Sequence, residues 1–260
     1  LFECEDGALV EAVMIPNKEF KTVCVSSQVG CAMACSFCAT GTLGLTRNLT
    51  ADEIADQVLY YAQDHKITNV VYMGMGEPLM NLDNVFASVD VLNDLLEIGA
   101  RRISVSTCGV IPGIKRIAEY PKQINLAISI HSPDDELRSQ IMPVNKGFPL
   151  VKLMEACTDY VKKTKRKLMF EYVMLQNIND SDGHAERIGE LLSKLKPLVV
   201  LNLIPFHQTF LQFTPASGNR IHRFQKIVQD AGVDCLIRHS AGVDVDAACG
   251  QLARTAYDRQ

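Results

Sequence analysis

Short apolar runs alternate with longer amphipathic stretches along this 260-residue chain, and this alternation constrains the fold more than any other feature. The apolar runs, which predict strands, are Thr22–Ser26, Thr68–Met73, Arg102–Ser106, Asn125–Ile130, Leu168–Met174, Val199–Pro205 and Asp234–Arg238. The stretches with helical periodicity are Ala51–Asp64, Leu82–Ile98, Val151–Thr164, Ala185–Leu195 and Gly218–Asp230. Strands that are apolar on both faces are typical of parallel sheets covered by helices. The sequence therefore predicts an α/β fold in which six strand–helix units form an open, partial (β/α)6, TIM-like barrel of parallel strands.

Polar residues follow four of the predicted strands. They lie in Gly74–Pro78, Ser106–Gly109, Ser129–Ser132 and Pro205–His207. Any one of these segments alone is more often a loop or a helix cap. In α/β barrels, however, sites form at the carboxyl ends of the strands. Together the four segments predict a wide pocket for a cofactor at that end of the sheet.

Three cysteines, Cys31, Cys35 and Cys38, have the spacing C-x3-C-x2-C just after the first strand. An iron–sulfur cube normally takes four cysteine ligands, so three would leave one iron open to another molecule. A zinc site with Cys24 as the fourth ligand is the main alternative, although structural zinc sites usually have two paired knuckles. Disulfides are disfavoured because nine cysteines is an odd number. The spacing favours a [4Fe–4S] cluster and leaves the zinc site open.

The charge and hydropathy of the sequence argue against two classes of protein, those that coat nucleic acid nonspecifically and those that span a membrane. The net charge of −4 and a pI near 5.9 argue against a protein that coats nucleic acid nonspecifically, although a local basic patch is compatible with them. No run approaches the roughly 20 apolar residues of a membrane span. The cysteine usage predicts a reducing compartment, the cytoplasm, and leaves an organelle open because the chain begins at Leu1.

Six segments resemble one family. In chain order they are VCVSSQVGCAMACSFCATG, NVVYMGMGEPLMNLDNV, ISVSTCGVIPGI, LAISIHSPDDELRSQIMPVNK, EYVMLQNIND and GVDVDAACGQLA. They are similar to the RlmN/Cfr family of radical S-adenosylmethionine (SAM) RNA adenosine methyltransferases. The resemblance implies a radical-SAM barrel over residues 21–260, which carries the catalytic-cysteine segment at its C-terminal end. Residues 1–20 would be a strand or hairpin extension, a remnant of the linker to an accessory domain that the family carries on the N-terminal side.

The resemblance also implies a role for each matching residue. Cys31, Cys35 and Cys38 would bind the [4Fe–4S] cluster. Catalysis would use Cys249, which is methylated during turnover, Cys24, which resolves a covalent intermediate, and Glu11, a proton acceptor. The cofactor SAM would contact Gly76, Glu77, Ser106, Ser129, Ile130, His131 and His207. At His207 the family usually has Asn, and the segment 208–216 lacks the family's Pro-rich loop.

Carbon 2 of adenine is electron-poor and is a poor nucleophile, which explains why such an enzyme would need radical chemistry. The resemblance implies a ping-pong reaction that consumes two SAM molecules per turnover. A covalent link between Cys249 and the RNA would form and would be resolved by Cys24, leaving a Cys24–Cys249 disulfide. We expect a monomer that acts on large-subunit ribosomal RNA, and in some cases transfer RNA, with flavodoxin or ferredoxin as the electron donor and no membrane partner.

Three other functions stay open at this level. Methylation at carbon 8 of adenosine is the alternative within the family. A radical-SAM enzyme with a different substrate would not need both Cys24 and Cys249. A zinc-stabilised RNA-binding module would have no catalytic role. The residues of the SSQVGC segment are more similar to the carbon-2 branch of the family, which favours methylation at carbon 2.

Overall fold

The computed structural model describes residues 1–16, 20–207 and 211–238. Cys249, the predicted site of methylation, lies outside the described residues. The described chain divides into two compact units, of which the first comprises residues 1–107 and 121–125 and the second residues 108–120 and 126–238. The predicted boundary after residue 20, between an extension and a core, stays a prediction.

The first unit contains a parallel sheet with an antiparallel strand at its edge. Its elements are β1 (Phe2–Glu3), β2 (Leu9–Val10), β3 (Val13–Pro16), β4 (Lys21–Cys24), β5 (Gln28–Cys31), β6 (Gly44–Asn48), α1 (Ala51–Ala62), β7 (Asn69–Tyr72), α2 (Leu82–Leu96) and β8 (Ile103–Thr107). Strands β4, β7 and β8 are parallel neighbours in that order, and β3 pairs antiparallel with β4. Two antiparallel pairs, β1 with β2 and β5 with β6, lie outside this sheet.

The second unit repeats the strand–helix alternation. Its elements are α3 (Ile111–Glu119), β9 (Asn125–Ser129), α4 (Asp135–Ile141), α5 (Leu150–Thr164), β10 (Leu168–Met174), α6 (Asp182–Ser193), β11 (Val199–Pro205), α7 (Gly218–Asp230) and β12 (Asp234–Ile237). The strands β9, β10, β11 and β12 are parallel neighbours in that order. Parallel strands joined through helices confirm the predicted α/β class.

The helices form because each has one apolar face to bury. In α1 the buried residues include Ile54, Ala55 and Val58, and in α2 they include Val85 and Val89. A fully buried aliphatic side chain stabilises the fold by about 1.5–3 kcal/mol, so these faces outweigh the modest helix propensity of valine and isoleucine. No helix in the described part of the chain combines the length and the apolar character that a membrane span needs.

Four elements are absent from the sequence prediction. They are the antiparallel strands β5 and β6, which flank the cysteine loop, and the short helices α3 and α4, which follow β8 and β9 in the chain. Helix α3 has nine residues and carries Pro112 and Gly113 in its first turn, so its periodicity is too short to stand out. By contrast, β10, β11 and α7 have the predicted bounds.

Candidate active site

The cysteine loop lies between β5 and β6 in the first unit. Strand β5 ends at Cys31, and backbone bonds then tighten the loop, since the amide of Cys38 donates to the carbonyl of Cys35 at 3.1 Å. The loop needs small residues, because a Cβ at Gly41 would lie 2.8 Å from the Cys35 carbonyl oxygen. Ala34 has a φ of +51°, which turns the chain between the first and second cysteines. The three predicted ligands are therefore presented by one tightly turned segment.

The Cys31 side chain is buried, and those of Cys35 and Cys38 are half-buried. Burial raises the pKa of Cys31 to about 12, and the neighbouring Cys38 and Glu77 add to the shift. Burial also raises the pKa of Cys38. A raised pKa means that forming the thiolate costs free energy. A positively charged metal centre offsets this cost, because metal binding displaces the thiol proton.

The donor set fits an iron–sulfur cluster. Thiolate sulfur is the usual ligand of such clusters, and each cysteine binds a different iron. Three cysteines of a cluster therefore need not converge on one point. Among the described residues, no three Cys, His, Asp or Glu side chains form a group that could hold a single metal ion.

The Gly76–Glu77 segment follows β7 and packs against the strand that leads to Cys31. Gly76 has a φ of +98°, and a Cβ there would lie 2.5 Å from the Cβ of Gln28. Glu77 is buried, and its carboxylate accepts a hydrogen bond from the amide of Leu79 at 3.0 Å. The Glu77 amide donates to Gln28 Oε1 at 2.8 Å, so this predicted cofactor contact lies beside β5, the strand that ends at Cys31.

Glu11 and Cys24 lie on the chain just before the cysteine loop. Cys24 ends β4 and is buried, in register with Val13 of β3 and Val71 of β7. Glu11 is also buried, with 7% of its surface exposed, although an isolated glutamate is usually solvated. Its carbonyl accepts a hydrogen bond from the Ser26 hydroxyl at 2.6 Å. The burial of Glu11 sets it apart from an ordinary surface glutamate, and its role as a proton acceptor stays a prediction.

Four buried polar residues that sequence reasoning missed connect these segments. They are Ser26, Gln28, Gln57 and Asn81. The Ser26 hydroxyl accepts from the Met75 amide at 2.9 Å, and the Asn81 side chain donates to the carbonyls of Ser27 and Leu49. The signal in the sequence was the polar run Ser26–Gln28 directly after an apolar strand, where buried polar groups require partners.

The second unit holds the segment Ser129–Ile130–His131 at the end of β9. His131 is buried with a φ of +55°, and its Nδ1 accepts a hydrogen bond from the Val173 amide at 3.0 Å. Burial lowers the pKa of His131 to about 3, and the positive charge of Arg138 adds to this effect. The imidazole is therefore neutral at physiological pH, and because Nδ1 is an acceptor, its proton is on Nε2.

Arg138 fixes the backbone of this segment. The guanidinium is fully buried and donates to the carbonyls of Ile130 at 3.0 Å, Ser129 at 3.1 Å and Cys108 at 2.7 Å, and to the Asn145 side chain at 2.5 Å. Because three of these acceptors are main-chain oxygens, Arg138 determines the path of the chain at the ends of β8 and β9.

The remaining predicted cofactor contacts are Ser106 and His207. Ser106 is half-buried on β8, in the first unit. His207 follows β11 in the second unit, and burial lowers its pKa. Its Nε2 atom is buried and has no hydrogen-bond partner among the described residues. An orphaned buried nitrogen carries a free-energy cost that a bound polar ligand would remove, so His207 fits a cofactor-binding role.

Comparisons with known proteins agree with this arrangement. Residues 25–188 match the model of the radical SAM superfamily. A radical SAM methyltransferase from Sphaerobacter thermophilus has 44% sequence identity, and its crystal structure superposes with a TM-score of 0.92 over 96% of this chain and 75% of that one. This match confirms the predicted radical-SAM fold.

Curated relatives identify the family more narrowly. A probable dual-specificity RNA methyltransferase RlmN from Thermoanaerobacter sp. (strain X514) is 45% identical over 98% of this chain and 75% of its own length. The dual-specificity RNA methyltransferase RlmN of Desulfotalea psychrophila is 43% identical over 100% of this chain and 75% of its own length. The chain therefore belongs to the radical SAM superfamily and, within it, to the RlmN family of RNA methyltransferases.

Proposed function

We propose that this protein methylates carbon 2 of an adenosine in large-subunit ribosomal RNA, and in some cases in transfer RNA. The observation that carries the proposal is the 2.8 Å hydrogen bond from the Glu77 amide to Gln28 of β5, the strand that ends at Cys31, in a chain of this family. It brings thiol ligands for a cluster next to the segment expected to contact SAM. The proposed setting is a cytoplasmic monomer that is reduced by a flavodoxin or ferredoxin.

Membership of the superfamily implies two cofactors, a [4Fe–4S] cluster and SAM. Cys31, Cys35 and Cys38 would hold the cluster. Gly76 and Glu77 would bind the methionine part of SAM, with Ser106, Ser129, Ile130, His131 and His207 as further contacts. When bound, the two cofactors supply one-electron chemistry that reaches a carbon too electron-poor for ordinary methyl transfer.

The chain's own residues carry the methyl group and release the product. Cys249 would hold one methyl group, supplied by a first SAM, as a thioether, and a second SAM would supply the radical chemistry that joins this carbon to carbon 2 of adenine. Glu11 would accept the proton from carbon 2, and the unpaired electron of the adduct would return to the oxidised cluster. The Cys24 thiolate would then attack the Cys249 sulfur, so that the S–S bond forms as the bond between that sulfur and the carbon breaks. The electron pair left on the carbon is shared with the ring nitrogens, as in an enamine, and is protonated to give the methyl group. Cys24 and Cys249 are thus both required, each as a thiolate at its polar step.

The test starts with anaerobic reconstitution using iron and sulfide, followed by incubation with SAM and peptide mass spectrometry. We expect a gain of one methyl group on Cys249. Adding RNA and a reductant, we expect 2-methyladenosine in the digested nucleosides, whereas 8-methyladenosine would contradict the carbon-2 assignment. Iron without any methyl on Cys249 would favour a radical-SAM enzyme with another substrate.

A second variant tests the role of Cys24. In Cys24→Ala the resolving thiol is missing, so we expect a covalent protein–RNA species that migrates slowly on a denaturing gel. The matched control is Cys157→Ala, which removes a buried cysteine in α5, in the second unit. Absence of the slow species in a preparation that cleaves SAM would contradict the role of Cys24.

A further inference from the structure

Gln28 is a buried carboxamide that connects the cysteine strand with the Gly76–Glu77 segment. It is the first residue of β5, the strand that ends at Cys31, and its side chain is almost fully buried. The Gln28 Oε1 accepts a hydrogen bond from the Glu77 amide at 2.8 Å, across 49 positions of sequence. The other end of the carboxamide donates from Nε2 to Asn48 Oδ1, also at 2.8 Å.

Two further contacts make this connection close. The Gln28 amide donates to the Met75 carbonyl at 3.3 Å, so the backbone on both sides of Gly76 is bonded to Gln28. The stem of the Gln28 side chain occupies the place of a side chain at Gly76, where a Cβ would lie 2.5 Å from Gln28 Cβ and 2.8 Å from Cγ. Gln28 therefore contacts the Gly76 segment in three ways, through its side-chain oxygen, its backbone amide and the stem of its side chain.

We propose that Gln28 is a positioning residue, which fixes Gly76–Glu77 relative to the cysteine strand and thereby sets the affinity for SAM. The inference rests on the proposed function, in which the cluster and the methionine part of SAM must be adjacent. A cofactor that contacts both segments binds well only if their spacing is fixed before it arrives, since ordering them on binding would reduce the affinity. Gln28 supplies that spacing through one rigid planar group.

The Gln28 carboxamide makes two contacts. Its oxygen accepts from Glu77 and its nitrogen donates to Asn48, and the bond to Glu77 is the one that positions the Gly76–Glu77 segment. In Gln28→Leu the buried Glu77 amide loses its acceptor, and the Gly76–Glu77 segment is free to move. In Gln28→Glu the acceptor for Glu77 remains, and the Asn48 side chain satisfies the second oxygen by rotating its amide nitrogen inward.

The experiment measures SAM binding to the reconstituted, unreduced protein by anaerobic calorimetry, and the electron paramagnetic resonance spectrum of the reduced cluster with and without SAM. For Gln28→Leu we expect wild-type iron and sulfide content, a Kd for SAM raised tenfold or more, and loss of the SAM-induced spectral change. For Gln28→Glu we expect a Kd within about threefold of wild type, since each 1.4 kcal/mol is a factor of ten and the bond to Glu77 is kept.

The control is Tyr72→Phe, which removes the buried hydrogen bond from the Tyr72 hydroxyl to Ser88 in the same unit. We expect its Kd for SAM to equal that of the wild type, so a general loss of stability is separated from a loss of positioning. If Gln28→Leu fails to fold, Asn48→Leu takes its place, because it removes only the outer anchor of the carboxamide and we expect a smaller rise in Kd.

Three results would overturn the inference. They are an unchanged Kd in Gln28→Leu, an equal rise in Kd in Tyr72→Phe, and a loss of iron in Gln28→Leu that matches its loss of SAM binding. The last result would mean that Gln28 supports the cysteine loop alone. A wild-type protein that binds no SAM would contradict the proposed function itself, which distinguishes the two failures.

Discussion

Each unit of the molecule contains a buried polar network, but the two networks differ in charge. The first network, defined by Ser26, Gln28, Gln57 and Asn81, is built from hydroxyl and carboxamide groups. Gln57, for example, accepts from the Ser26 amide at 2.8 Å and donates to the Ser26 carbonyl at 3.0 Å. Its four defining side chains do not titrate between pH 4 and 9.

The second network is built around ionisable groups. It is defined by His131, Arg138, Asn145, Glu171 and Asn202. Glu171 on β10 lies between Ser129 of β9 and Asn202 of β11 in register, and accepts from the Asn202 side chain at 2.8 Å. Burial raises the pKa of Glu171 to about 7, whereas burial lowers that of His131 to about 3.

The difference teaches that two networks with similar burial respond differently to pH. In the first, stability depends on hydrogen-bond geometry alone. In the second, burial raises the pKa of Glu171 and lowers that of His131, since burying a charge without full compensation is costly, so stability depends on pH. The four predictions below test this contrast, from the largest expected effect to the smallest.

Replacing Arg138 should be the most damaging change. In Arg138→Met four buried oxygens lose their donor, and at about 1 kcal/mol each we expect the free energy of unfolding to fall by about 4 kcal/mol. Urea unfolding followed by circular dichroism measures this. The control is Arg187→Met, which removes an exposed guanidinium paired with Asp134 at 2.7 Å and should cost under about 1 kcal/mol. Equal stability of the two variants would mean that Arg138 does not organise the second network.

Glu171→Gln isolates the pH response of the second network. The pKa of Glu171 is raised from 4.5 to about 7, so its protonated form adds stability that is fully present below pH 4.5 and is lost as pH rises through 7. The glutamine side chain does not titrate, and the bond from Asn202 is kept. The unfolding free energy of wild type relative to Glu171→Gln should therefore fall by about 2–3 kcal/mol between about pH 5 and about pH 8.

The comparison of wild type with Glu171→Gln cancels the contribution of His131, whose effect on the unfolding free energy has the opposite pH dependence. Its pKa is lowered to about 3, so the stability it contributes is present above 6.5 and is lost as pH falls. Wild type and Glu171→Gln share this histidine, and their difference cancels it. A difference that stays constant with pH would show that Glu171 is ionised in the folded protein.

Asn81→Ala provides the counterpart in the first network. The variant leaves the carbonyls of Ser27 and Leu49 without the Asn81 donors, which lie 2.8 Å and 2.7 Å away. We expect a loss of about 2 kcal/mol, the cost of two buried acceptors, and the same loss at pH 5 and pH 8 because no group in the pair titrates. Asn84→Ala is the control, since its side chain donates only to Asn81. A loss that changes with pH would contradict the contrast between the networks.

The sequence predicts the framework better than it predicts these networks. Apolar runs locate β10 and β11 to the residue, because a strand buried on both faces has an unmistakable pattern over seven positions. The same reasoning does not identify Glu171 as a functional or titrating residue, because it is a single carboxyl within an apolar run. Whether that carboxyl is charged depends on its burial, which raises its pKa, and on Asn202 of the neighbouring strand, which lowers it. The local sequence pattern contains neither piece of information.

The candidate site shows the same limit. The spacing of Cys31, Cys35 and Cys38 is local, so the cysteine loop is visible in the sequence. The role of Gln28 depends on Glu77, 49 positions away, and on Gly76 having no side chain. The pairing of β4 with β7, continued by backbone bonds such as that from the Ser27 amide to the Met75 carbonyl, brings these residues together. Positioning residues of this kind are therefore found by tracing the partners of buried polar groups.

Helix caps give the smallest expected difference in stability between the two units. In both units the capping residue is exposed and bonds only within its own helix turn. Thr50 caps α1 in the first unit through a reciprocal capping box, in which its amide donates to Glu53 Oε2 at 2.8 Å and its hydroxyl accepts from the Glu53 amide. Ser217 caps α7 in the second unit with its hydroxyl, which accepts from the Arg220 amide at 3.3 Å. We expect Thr50→Ala to cost about 1 kcal/mol and Ser217→Ala about half as much, measured by urea unfolding. Both losses should be the same at pH 6 and pH 8, since neither hydroxyl titrates there.

The larger loss belongs to Thr50 because α1 also carries Gln57, a member of the first network. Fraying of the first turn of α1 therefore loosens the bond that Gln57 makes with Ser26. A larger loss in Ser217→Ala would mean that the caps act independently of the networks that their helices support.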